Sequence, residues 1–144
     1  KLFGIGQFIL ETIQRKQANL TTDLLELDNE GGKLCYTIIH DFAQKAQLDG
    51  ARVIILHMPF EAYLRKTMNG ESHPYEDIWE KLRSEFETVD VEPILLEEAK
   101  KTPLNQIFIA HYSPKINQKI GACLASYLLT ENSNANQDWK CGVI

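Results

Sequence analysis

His111 stands between the apolar run Ile107-Phe108-Ile109-Ala110 and a segment that opens with Ser113-Pro114. An imidazole titrates near neutral pH, so this residue is the chain's first candidate for a general base. Such a base acts only with a hydroxyl within about 2.6–3.2 Å and with preorganised donors for the oxyanion that develops. Ser113 reads as a helix N-cap rather than as that nucleophile. Asn117, in the first turn of the same helix, reads as a brace for the loop that carries His111. His57 closes a second apolar run, where it either faces a crevice or is satisfied by a backbone carbonyl. His73, beside Pro74, reads as an N-cap or an exposed loop residue. No two histidines have the His-x-x-x-His spacing of a metal-binding helix, so neither a metal nor a cofactor is expected. The three cysteines, Cys35, Cys123 and Cys141, are too few and too scattered for a disulfide framework or a zinc site, although one bridge stays open. Cys35 and Cys123 read as small core residues.

The elements that position these groups follow from periodicity. Phe8, Ile9 and Ile13 predict a helix over residues 3–17, with basic residues gathering at its C-terminal end. Leu34, Cys35, Ile38, Ile39, Phe42 and Ala46 predict a second helix, closed at Asp49-Gly50. Ala51 to Pro59 is a short apolar run rich in β-branched residues, the pattern of a parallel strand buried on both faces. Residues 60–74 read as a polar loop. Tyr75, Ile78, Trp79, Leu82 and Phe86 trace a third helix. Val89, Val91 and Ile94 to Leu96 read as a second strand, which Pro93 makes short or places near an edge. Ile116, Ile120, Leu124, Tyr127 and Leu128 give the last helix its buried stripe. The alternation predicts an α/β domain, a three-layer α/β/α arrangement around a mainly parallel sheet, over residues 1–131. Residues 132–144 read as a flexible polar tail.

Composition narrows the partners. A chain of 144 residues, 44% hydrophobic, is of the size of one domain. Its 15 basic and 20 acidic residues give a net charge of −5 without a basic cluster, which argues against nucleic acid. No run approaches the roughly 18 apolar residues of a membrane span. The start Lys1-Leu2-Phe3 carries neither a methionine nor a signal-peptide pattern, so the chain is expected to be a processed product or a piece of something longer. No compartment follows from the sequence.

Three stretches, "GARVIILHMP", "VDVEPIL" and "HYSPKINQKIGACLASYL", together resemble the C-terminal half of the SGNH, or GDSL-type, hydrolases. The likeness covers roughly residues 34–129. It implies an SGNH/flavodoxin-like fold that is incomplete, and it maps the family's closing motif, Asp-x-x-His-x-(Ser/Asn)-x-x-Gly-Asn, onto His111, Ser113 and Asn117. The motif's acid falls on Phe108 and its glycine on Ile116. Asp90, Glu97 and Glu98 are the acids near enough in sequence to replace the missing one. The family's Gly-Asp-Ser nucleophile motif and its oxyanion-hole Gly and Asn have no counterpart in the sequence. The resemblance therefore implies the histidine-bearing portion of a serine esterase or acyl hydrolase, inactive alone, acting on a small-molecule ester or acylated substrate. The alternative is a catalytically inactive SGNH-like module that binds a carbohydrate, a lipid or a protein. A sheet lacking its first strands has a free edge, so self-association is expected.

Overall fold

Asn29 starts the first helix: its Oδ1 accepts the Gly32 N–H at 2.8 Å and satisfies one of the donors that a helix start leaves free. The computed structural model describes residues 25–129 and 138–141, so the helix expected over residues 3–17 lies outside the described residues. Helix α1, Glu30–Leu48, carries Glu30 in its first turn and Lys45 in its last, both favourable to the helix dipole. Gly50, at φ 85°, lets the chain turn from it into β1, Ile54–His57.

The segment read as a loop over 60–74 contains helix α2, Glu61–Met68. It presents only Leu64 to the core, too thin a stripe for a periodic signal. Helix α3, Glu76–Glu85, leads into β2, Glu87–Asp90. Ile94 to Leu96 do not extend that strand; they lie in helix α4, Glu92–Ala99. Pro93 falls in the first helical turn, where a missing N–H costs nothing, and the Asp90 side chain accepts the Glu92 N–H at 2.9 Å. The proline therefore starts a helix and does not mark a sheet edge. A short helix α5, Leu104–Ile107, and a hairpin of β3, Phe108–Ile109, and β4, His111–Tyr112, precede helix α6, Pro114–Leu129.

Strand β5, Asp138–Lys140, arises within the stretch read as a polar tail. It runs parallel to β2, which is parallel to β1, so the sheet order is β1-β2-β5 and β2 is its centre. The chain is thus a mixed α/β protein with a parallel sheet. What holds β5 is covalent: Cys141 is bonded to Cys123 of α6, both are buried, and the Cys141 N–H donates to Asp90 O at 3.0 Å. Cys35 is a free thiol.

Apolar clusters cover the sheet. Val89, Ile54 and Leu56 pack with Leu64, Leu95, Ile107 and the Ile116, Ile120 and Tyr127 stripe of α6. Val53 and Ile55, the alternate positions, pack with Ala43 of α1 and with Ile78, Leu82 and Phe86. The α1 stripe divides: Cys35, Ile39 and Ala43 meet this second cluster, whereas Leu34, Ile38 and Phe42 are 61%, 60% and 74% exposed. Ile54, Ile55 and Leu56 of β1 are only half-buried while His57 is buried, and among the described residues the outer edge of β1 has no strand partner.

Candidate functional site

The β3–β4 hairpin turns at Ala110, which is held at φ 61°. A residue with a Cβ in this left-handed region is strained by about 1–2 kcal/mol and persists only where its surroundings fix it. The fixing contacts are visible on both sides. The Tyr112 hydroxyl donates to Pro59 O at 2.6 Å, tying β4 to the chain just past the carboxyl end of β1. The Asn117 side chain donates to Tyr112 O at 3.2 Å, and the Ser113 N–H donates to Ile107 O at 2.8 Å. His111 is thereby presented, exposed, beside a cavity of about 230 Å³ that it lines together with Phe60, Glu61, Phe108 and Tyr112. Burial pushes the Tyr112 hydroxyl above its usual range, so it stays protonated as a strut.

Ser113 and Asn117 do not line that cavity. Ser113 is buried and its carbonyl accepts the Asn117 N–H at 2.9 Å, which closes the first turn of α6. Phe108, at the acid's position, packs its ring 5.1 Å from that of Tyr112. None of the three acids near in sequence reaches His111. Glu97 pairs with Lys100, and Glu98 accepts from Lys115 at 2.6 Å and Lys119 at 2.5 Å, which hold its carboxyl down at about 2. Asp90 is engaged by His57. Among the described residues the His111 imidazole has no hydrogen-bond or ion-pair partner.

A second constellation is internal. His57 and Asp90 end the two neighbouring parallel strands in register, and His57 Nδ1 lies 2.8 Å from Asp90 Oδ1. The other ring nitrogen meets the Tyr75 hydroxyl at 3.1 Å, and the ring stacks on Trp79 at 4.8 Å. Side-chain groups therefore satisfy His57, which also lines an apolar groove of about 320 Å³ between α1, α2 and α3. His73 is neither a cap nor exposed: it is buried, its Nε2 lies 2.9 Å from Glu92 Oε1, and its ring stacks on Tyr75 at 4.9 Å. Thr67 also donates to Glu92 Oε1, at 2.7 Å. Burial pushes the Glu92 carboxyl up, but the bonds from His73 and Thr67 outweigh it and leave the group below its usual value. Asp90, Glu92 and Tyr75 do not stand out by local spacing. The available signal is at His57 alone, a polar residue that closes an apolar strand; β2, Glu-Thr-Val-Asp, gives Asp90 no such contrast.

Among the described residues no helix is long and apolar enough to cross a membrane. Compared with known proteins, the chain matches no protein-family model, no curated protein and no solved structure.

Proposed function

We propose that the chain is the histidine-bearing, C-terminal part of an SGNH-like serine esterase or acyl hydrolase, with His111 as the base for a serine supplied by another segment or chain. The observation that carries this reading is the strained, doubly braced hairpin that offers an imidazole, unpartnered among the described residues, beside a cavity next to the carboxyl end of β1. Open parallel sheets collect their chemistry at that end. Apolar clusters on alternate residues of β1 support a three-layer α/β/α arrangement, and its edge, unpaired among the described residues, supports further strands beside it.

In this mechanism the imidazole takes the serine proton as the oxygen attacks the ester carbonyl. The same proton passes to the departing alkoxide when the tetrahedral intermediate collapses to an acyl-enzyme. Water, deprotonated by His111, then releases the acid and restores the serine.

The lack of a carboxylate on His111 among the described residues favours a second reading, an SGNH-like module that binds a carbohydrate, a lipid or a protein without turnover. A fluorophosphonate probe and p-nitrophenyl acetate separate the two when applied to a longer parent protein that carries the serine. Labelling and turnover that His111→Ala abolishes support the hydrolase. A folded parent that neither labels nor turns over supports the binding module.

A further inference from the structure

We propose that His57, Asp90 and Glu92 form a binding site for one divalent first-row transition-metal ion. Their donor atoms, one imidazole nitrogen and two carboxylate oxygens, all lie within 4.8 Å of one another. Two ligands about 2.1 Å from a common ion are at most about 4.2 Å apart, so small side-chain shifts close the set. His57 and Asp90 are each 7% exposed, which distinguishes the cluster from solvated surface acids.

Each donor is held from behind, as the ligands of metal sites are. Trp79 and the Tyr75 hydroxyl fix the His57 ring, the strand register fixes Asp90, and Thr67 and His73 hold Glu92. His57 also lines the 320 Å³ groove, which offers an ion a route from solvent. Two carboxylates and a neutral imidazole match a doubly charged ion in net charge, so the occupied site can stay buried without excess charge. A mixed nitrogen and oxygen set suits zinc, manganese, iron(II) or cobalt, whereas copper(I) calls for thiolates and calcium for oxygen alone.

Coordination through Nδ1, which lies 2.8 Å from Asp90 Oδ1, requires its lone pair, so a proton that this nitrogen shares with Asp90 must leave it. That proton is displaced and Nε2 carries the ring's hydrogen, donating it to the Tyr75 oxygen. Starting from a neutral ring this is a change of tautomer with no net proton released.

The test uses the 144-residue chain stripped with a chelator. Calorimetry with Zn²⁺ is expected to give one ion per chain, and Asp90→Asn and Glu92→Gln each to weaken binding at least tenfold. His40→Ala, which removes a histidine paired with Asp41 at the surface, is expected to leave binding unchanged. Cobalt(II) should give a visible spectrum without a thiolate charge-transfer band. Manganese(II) should broaden the amide signals of residues 57 and 90–92 first. Absence of saturable one-to-one binding overturns the proposal, as does binding that both carboxylate variants leave intact. Should those variants not fold, the broadening pattern of the unaltered chain decides: centred elsewhere, it overturns the site.

Discussion

Breaking the Cys123–Cys141 bridge tests how β5 is held. The cysteines are 18 residues apart in sequence, and closing a loop of that length in the unfolded chain is worth about 3 kcal/mol in the chain-entropy account. The folded state gains little from the three-residue strand alone: β5 supplies one edge of β2 and buries Cys141, which sits against the main core cluster. Reduction, or the double substitution Cys123→Ala/Cys141→Ala, is therefore expected to lower stability by about 3 kcal/mol. With a urea slope near 2 kcal/mol/M this moves the midpoint down by about 1.5 M, and Tm falls by about 10 °C. Urea unfolding of oxidised and reduced protein, followed by circular dichroism, measures the difference. Thiol titration in denaturant should find one reactive cysteine, Cys35, before reduction. Midpoints that agree within about 0.2 M, or three reactive thiols in the untreated protein, would refute the reasoning.

Other expectations follow from single contacts. The folded-state pKa of Glu98 is depressed to about 2 by Lys115, Lys119 and Thr102, so its contribution is present above its unfolded value near 4.3 and is lost as pH falls toward 2. Glu98→Gln should thus lower stability at pH 7 and make little difference at pH 2, as paired unfolding curves would reveal. A Cβ on Gly32 would stand 1.9 Å from the Glu26 carbonyl oxygen. Gly32→Ala is expected to cost about 1–3 kcal/mol in urea unfolding, and an unchanged midpoint would contradict that packing. The exposed Leu34, Ile38 and Phe42 line one side of α1, on a protein whose β1 edge is also unpaired among the described residues. Light scattering should find association at high concentration that Ile38→Lys/Phe42→Lys relieves.

The strand Ile54–His57 and helices α1, α3 and α6 were legible from their apolar patterns, β1 as a short run rich in β-branched residues and the helices by their period, although half of the stripe read on α1 is exposed. Helix α2 was not, since one buried leucine leaves no period to read. Pro93 misled for a specific reason: a proline next to apolar residues fits an edge strand and a first helical turn equally well, and the deciding contact, Asp90 accepting from Glu92, is tertiary in effect though local in sequence. Strand β5 escaped notice because three residues become a strand only through β2 and a disulfide to a distant helix. At the sites, the helix that follows His111 could be read directly and the bracing by Asn117 spans only five residues, whereas the β3–β4 hairpin that carries His111 reads in the sequence as a loop, because two-residue strands leave no alternation to detect. The pairing of His57 with Asp90 could not, because 33 residues separate them and only the parallel register makes them neighbours. His73 looked exposed beside its proline; its partner Glu92 comes from another helix.

The hydrolase reading turns on whether the His111 imidazole moves a proton. The direct measurement is the rate of fluorophosphonate labelling and of p-nitrophenyl acetate turnover by a serine-bearing parent protein, with and without His111→Ala, in samples shown by circular dichroism to be equally folded. General-base catalysis by this residue predicts a fall of about 10²–10⁴-fold in both rates, and no turnover by the 144 residues alone. Rates that His111→Ala leaves unchanged, or ester hydrolysis by the isolated chain, would contradict it.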